Sequence, residues 1–94
     1  MPDDDPTAST VEGVELRVLL FSVLREIVGT GELRLQLRAP VRGEDVLGRL
    51  VAEYPATETY RSVVRLAVNR VYAPLLTELC DGDEVALITP VSGG

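Results

Sequence analysis

The residues best suited to chemistry stand at the end of the chain, in Pro90-Val91-Ser92-Gly93-Gly94. Glycine has no Cβ, so a partner can close around the backbone of Gly93 and Gly94 and approach the terminal carbonyl from either face. The free α-carboxylate of Gly94 is then the reactive group. Its activation as an acyl-adenylate, followed by attack of a sulfur or nitrogen nucleophile, needs an uncrowded carbonyl carbon, and glycine crowds it least. Pro90 fixes its own φ and biases Thr89 toward extended geometry, so Val91, Ser92 and Gly93 are expected to lead outward rather than fold back. A frayed terminus can also carry glycines; what separates the two readings is the turn, strand and proline directly before them.

Elsewhere the inventory is sparse. Histidine is absent, the nine basic residues are all arginine, and fifteen acidic residues bring the net charge to −6. Without histidine the chain lacks the commonest metal ligand and the usual neutral-pH base, so it is not expected to supply an acid or base itself. An acidic chain with no basic run is a poor ligand for phosphate backbones, which excludes nucleic acid. Asp81-Gly82-Asp83-Glu84 lacks the spacing of a calcium loop and reads as turn chemistry before a strand, so no metal is expected. Cys80 cannot form an internal disulfide, which suits a reducing compartment, and after Leu79 it reads as a small buried hydrophobe rather than a sulfur relay. Arg25-Glu26 reads as a solvated helix face. No apolar run reaches membrane-spanning length and no signal peptide is legible, so a cytoplasmic protein with no membrane association is expected.

The elements that must position the terminus belong to one small domain with an aliphatic core, since 46% of the chain is apolar but only 4% aromatic. Residues 1–12, with Asp3-Asp4-Asp5 and two prolines, read as a flexible acidic tail or, in the alternative, a docking arm. Residues 13–89 form the domain and 90–94 its extended reactive tail. From Val14 to Phe21 the chain alternates, with Val14, Leu16, Val18 and Leu20 on one face and Glu15, Arg17, Leu19 and Phe21 on the other. Ser22 is expected to cap a short helix that Gly29 stops. Glu32–Arg38 alternates again, with Leu33, Leu35 and Leu37 inward, and is expected to pair antiparallel with the first strand.

From Glu44 the period becomes helical: Val46, Leu47, Leu50, Val51 and Tyr54 form one stripe, which Pro55 ends. Ala56–Val64 is ambiguous, a loop or an anchoring turn through Tyr60, Val63 and Val64. Arg65–Arg70 reads as a strand closing in an Asn69-Arg70 turn, and Val71–Ala73 as a short edge strand before Pro74. Leu75, Leu76 and Leu79 read as a turn of helix or irregular core. In the closing strand Val85 and Leu87 share a face opposite Glu84, Ala86 and Ile88. If the first and last strands are neighbours, Phe21 and Ile88 form one apolar patch beside the emerging tail. The order predicts an α+β fold, a mixed sheet of four to five strands covered by one main helix, which is a β-grasp.

On these residues a resemblance rests. Arg17-Val-Leu-Leu-Phe-Ser-Val-Leu-Arg-Glu-Ile-Val-Gly-Thr30, Val68-Asn69, Asp81-Gly-Asp-Glu-Val85 and Pro90-Val-Ser-Gly-Gly94 resemble the ubiquitin-like family of small sulfur-carrier subunits of molybdopterin synthase. The resemblance covers about Val14 to Gly94. It implies that an adenylating, E1-like activating enzyme uses ATP on the Gly94 carboxylate, that a sulfur donor protein converts it to a thiocarboxylate, and that no cofactor is bound. It further implies that Pro90, Val91, Ser92 and Gly93 insert into the large subunit, which supplies the catalytic side chains in a heterotetramer. There the Gly94 sulfur attacks the cyclic pterin precursor to build the dithiolene. By position, Phe21, Tyr72 and Ile88 match the family's apolar contact patch for both partners; Tyr72 comes from the resemblance alone. Thr89-Pro90 departs from the usual pair of prolines. Sulfur carriers for thiamine or cysteine synthesis, ubiquitin-like modifiers, and a non-reactive binding module recognised through its patch are the alternatives.

Overall fold

The computed structural model describes residues 13–90; the acidic segment 1–12 and tail positions Val91, Ser92, Gly93 and Gly94 lie outside the described residues. Strand β1 (Gly13–Leu20) buries Val14, Leu16, Val18 and Leu20 and turns the intervening side chains the other way, as its alternation requires. It pairs antiparallel with β2 (Glu32–Arg38), Leu16 opposite Leu35 and Val18 opposite Leu33. Between them lies helix α1 (Ser22–Val28), which buries Leu24 and ends at Gly29, whose φ of 92° is the left-handed cap that glycine adopts without a Cβ penalty.

Ser22 does not cap that helix. Phe21 stays extended (φ −132°, ψ 160°) and holds the cap position, its carbonyl accepting hydrogen bonds from Leu24 N (3.1 Å) and Arg25 N (3.3 Å). Ser22 is thereby drawn into the first helical position with a φ of 49°. The strand geometry of β1 therefore runs one residue further than the helix start implied by the serine.

The main helix α2 (Gly43–Glu53) buries Val46, Leu47 and Leu50 and carries Glu44 and Asp45 at its positive end. Asp45 Oδ2 accepts a hydrogen bond from Arg42 N at 2.8 Å, satisfying a donor at the helix entry. Pro55 ends α2 and opens a 3₁₀ helix, Pro55–Val63, which resolves the ambiguous stretch. Its anchor is Thr57, fully buried, whose hydroxyl donates to Tyr54 O at 2.7 Å. Tyr60 packs on the core and Val64 is buried, whereas Val63, expected inward, is 49% exposed.

Strands β4 (Arg65–Val68) and β5 (Val71–Ala73) form a hairpin through Asn69 and Arg70, both at positive φ (50° and 74°), the backbone that a tight two-residue hairpin turn needs. The stretch around Leu75, Leu76 and Leu79 is not helical, and Leu75 packs against the core from a turn. After a turn it forms β6 (Glu78–Leu79), which pairs antiparallel with β3 (Val41–Arg42) in a small separate ladder. Leu79 is buried there and Leu76 is 64% exposed, while Cys80 is exposed rather than a buried hydrophobe.

Strand β7 (Glu84–Ile88) enters the sheet between β1, to which it is parallel, and β4, to which it is antiparallel. The sheet order is β2-β1-β7-β4-β5, with α2 packed on the face that holds Leu16, Val18, Leu66, Val85 and Leu87. This is the mixed five-stranded β-grasp that the element order predicts. Its last strand is its central one, so Val85, Ala86 and Leu87 are all buried.

Candidate functional site

Because β7 is central, the chain leaves the sheet at its middle. Thr89 is still 9% exposed, on the inward side of the alternation with Val85 and Leu87, and Pro90 is the first exposed residue of the exit. The end of β7 is flanked by the end of β1 on one side and the start of β4 on the other, since Leu20 pairs with Leu87 and Arg65 with Ile88. Pro90 thus stands where a segment can depart without displacing an edge strand.

The outer face of the sheet, away from α2, changes character along its length. At the end remote from the exit it is charged: Arg17 Nη2 lies 2.6 Å from Glu84 Oε1 and its Nε 3.9 Å from Glu32, Arg34 reaches Glu15 at 3.5 Å, and Arg70 reaches Glu84 at 3.8 Å. Exposed pairs of this kind contribute roughly 0–1 kcal/mol each, so they keep that end wet more than they hold the fold. One row nearer the exit the strands align Leu19, Ala86, Ala67 and Tyr72, from the pairings Leu19–Ala86, Ala86–Ala67 and Ala67–Tyr72. The next row carries Ile88, with Phe21 one residue beyond the Leu20–Leu87 pair.

Phe21 is 44% exposed, Tyr72 69%, and Ile88 half-buried. Phe21 and Ile88 therefore sit abreast on neighbouring strands, about 5 Å apart in backbone spacing. Tyr72 stands on the edge strand, one row back from Ile88, with the small residues Ala67 and Ala86 next to it in that row. The sequence shows Phe21 and Ile88 as ends of alternating strands. It gives no comparable signal for Ala67 or for exposed Val71, because β5 is too short to establish a period.

The acidic turn before β7 is occupied by its own backbone. Asp81 Oδ1 accepts from Glu15 N (2.7 Å), Asp83 Oδ2 from Cys80 N (2.8 Å), and Asp83 Oδ1 from Asn69 Nδ2 (2.9 Å). Glu84 N donates to Asn69 Oδ1 at 3.0 Å, and Gly82 takes a φ of 89°. The turn reading stands, and the four residues tie β7 to β1 and to the β4–β5 hairpin. Among the described residues no group of three or more His, Cys, Asp or Glu side chains is placed to hold a metal ion, and no helix is long and apolar enough to cross a membrane. What the arrangement offers is presentation: an apolar surface beside the exit at Pro90.

Comparison with known proteins agrees with that geometry. The ThiS family matches residues 18–94. The molybdopterin synthase sulfur carrier subunit of Arabidopsis thaliana is 37% identical over 92 residues, covering 98% of this chain and 92% of that protein. Its namesake in Mycobacterium tuberculosis is 34% identical over 82 residues, covering 86% and 99% respectively. Among solved structures, the small archaeal modifier protein 1 of Haloferax volcanii superposes with a TM-score of 0.74 at 28% identity, covering 83% of this chain and 99% of that one.

Proposed function

The chain belongs to the ThiS family, and from that premise we propose that it is the sulfur carrier subunit of a molybdopterin synthase. The observation that carries the reading is the exit of the C-terminal segment from the central strand β7, beside Phe21 and Ile88. The likeness to sulfur carrier subunits over nearly the whole chain supports it.

In this reading an E1-like enzyme joins the Gly94 carboxylate to AMP from ATP, releasing pyrophosphate. Sulfur from a donor protein then displaces AMP, leaving a thiocarboxylate on Gly94. The tail enters the large subunit, the sulfur attacks a carbon of the cyclic pterin precursor and displaces an oxygen substituent from it, and hydrolysis of the resulting thioester returns the Gly94 carboxylate and leaves the sulfur on the pterin. Each dithiolene takes two sulfurs and hence two carrier turnovers. Pro90, Val91, Ser92 and Gly93 thread the tail, and Phe21, Tyr72 and Ile88 form the docking surface used by both enzymes. The large subunit provides the acids and bases within a heterotetramer, in keeping with a carrier that has neither histidine nor lysine. No bound cofactor is required, and the single unpaired cysteine suits a cytoplasmic setting.

The likeness to a small archaeal modifier favours one second reading, conjugation of the Gly94 carboxylate to protein amines. Reconstitution separates them. Thiocarboxylated protein mixed with molybdopterin synthase large subunit and the cyclic pterin precursor is expected to yield dithiolene product, and protein lacking Gly94 none. A confirmed thiocarboxylate that gives no product with an active large subunit overturns the molybdopterin reading and directs the sulfur to thiamine or cysteine synthesis, or the carboxylate to conjugation. Function that persists without Gly94 marks a non-reactive binding module.

A further inference from the structure

A terminus activated for acyl transfer is exposed to every nucleophile within its reach, those of its own chain included. Amines and thiols compete for such an acyl group near neutral pH, whereas hydroxyls need an adjacent base. All nine basic residues here are arginine and histidine is absent, so the chain has no side-chain amine and no imidazole to activate a serine or tyrosine. Arg65 shows where this matters. It is exposed and opens β4 directly opposite Ile88, two positions before Pro90. Cross-strand neighbours lie about 5 Å apart and two residues of extended chain add about 7 Å, so position 65 stands within about 10 Å of Pro90. The four residues after Pro90 span at most about 14 Å, which brings the Gly94 carbonyl within reach of that side chain. A guanidinium there stays protonated and cannot attack. Of lysine amines roughly 0.1% are free near neutral pH, enough for a tethered acyl group to capture. The remaining nucleophile is Cys80, which is exposed. It belongs to the turn that opens β7, its carbonyl accepting from Asp83 N at 3.0 Å. From Glu84 to Pro90 the nearly extended chain runs about 20 Å, so a tail folded straight back along the sheet ends short of that turn.

We propose that the exclusive use of arginine and the remote placement of Cys80 keep the activated Gly94 carbonyl from acylating its own chain, so that the acyl group leaves only to a nucleophile that a partner brings. In the reaction avoided, an amine nitrogen attacks the Gly94 carbonyl carbon and the bond from that carbon to the AMP oxygen breaks. AMP leaves with the electron pair, the amine proton passes to solvent, and the product is an amide far less reactive than the adenylate. A thiol within reach would divert the acyl group to a thioester in the same way. The inference rests on the activation of Gly94 in the sulfur-carrier reading, and it extends to conjugation. A modifier without lysine offers a second copy no side-chain amine, so it adds to a target singly rather than as a polymer.

The test uses the full chain bearing a small-thiol thioester at Gly94, dilute and in mildly alkaline buffer, as wild type, Arg65→Lys and Arg34→Lys. Arg34 is equally exposed but lies on β2 in the row of Arg17 and Glu84, at the far end of the sheet from the exit. Intact mass and peptide mapping read the products. Wild type is expected to lose the thioester to hydrolysis with no side chain acylated, Cys80 included. Arg65→Lys is expected to close an internal lactam through the new amine, roughly 10-fold or more faster than Arg34→Lys, because a short tail gives a high effective concentration only to groups it can span to. Unfolding midpoints of the three should coincide, which separates reach from folding. The comparison is then repeated with ATP and an E1-like activating enzyme in the absence of a sulfur donor. Wild type acylated on its own side chain overturns the proposal, as does an Arg65→Lys chain no more reactive than wild type. Equal rates for the two lysine variants overturn the part assigned to geometry. A wild-type chain that the enzyme does not adenylate overturns the carrier reading, and with it the use of this inertness, whatever the thioester shows.

Discussion

Asn69 joins two turns, and its substitution tests how the central strand is held. Its φ is 50°, its Nδ2 donates to Asp83 Oδ1 at 2.9 Å, its Oδ1 accepts from Glu84 N at 3.0 Å, and its own N donates to Glu84 O at 2.8 Å. Asn69→Gly keeps the left-handed backbone and removes only the side-chain bonds. Both bonds are exposed, so their joint loss is about 1–2 kcal/mol. Asn69→Ala removes the same bonds and adds the cost of a Cβ at positive φ, about 1 kcal/mol more. In a domain of this size 1 kcal/mol moves the melting temperature by roughly 4–8 °C, so the two variants are separable by far-UV circular dichroism on heating or in urea. The double variant Asn69→Gly, Asp83→Ala should lose less than the sum of the single losses, because the two side chains share one bond. Equal stability of the Gly and Ala variants would refute the backbone half of the reasoning, and a Gly variant as stable as wild type would refute the stapling half. Sulfur transfer below the melting temperature should be unaffected, because the staple sits at the opposite end of β7 from the tail.

Three further outcomes follow from named contacts. A Cβ at Gly43 would lie 2.6 Å from Leu66 Cδ2 and 3.0 Å from the Leu75 carbonyl oxygen, so Gly43→Ala should cost about 1–3 kcal/mol by overpacking, read as a lower urea midpoint at unchanged slope. Arg70→Gly should raise stability by about 0.5–1 kcal/mol, because relief of a φ of 74° outweighs a 3.8 Å ion pair made by an arginine that is 85% exposed; a lower midpoint would mean the pair matters more than its geometry allows. Phe21→Ala should leave the melting temperature within a few degrees of wild type, since the ring is 44% exposed, yet weaken large-subunit binding about 10-fold or more in calorimetry.

The fold was legible where one face of an element is buried and the element is long enough to repeat. β1 and β2 show their period because Leu16, Val18 and Leu35 must point one way while arginines and glutamates point the other. α2 shows its stripe for the same reason. β3 and β6 were not legible, because a two-residue strand has no period and its pairing depends on where the rest of the chain brings it. The serine that opens α1 misled, since a good capping residue loses its place when the preceding strand holds Phe21 extended. At the site, Phe21 and Ile88 could be read because each ends an alternating strand. Tyr72 could not, because β5 is too short to establish a period.

The two ends of the outer face differ in what completes them. Ion pairs and the Asn69–Asp83 staple gather at the start of β7, where they hold the strand in the sheet. The end of β7 carries none of them among the described residues; it has Ile88, with Ala86 and Ala67 one row back, and the exit at Pro90. A surface completed by its own chain gains nothing from a partner, whereas an exposed apolar row is stabilised by covering it. The contacts that hold the fold and the apolar row thus lie at opposite ends of one strand. Substitutions at Asn69 should therefore move melting and spare binding, and Phe21→Ala should do the reverse.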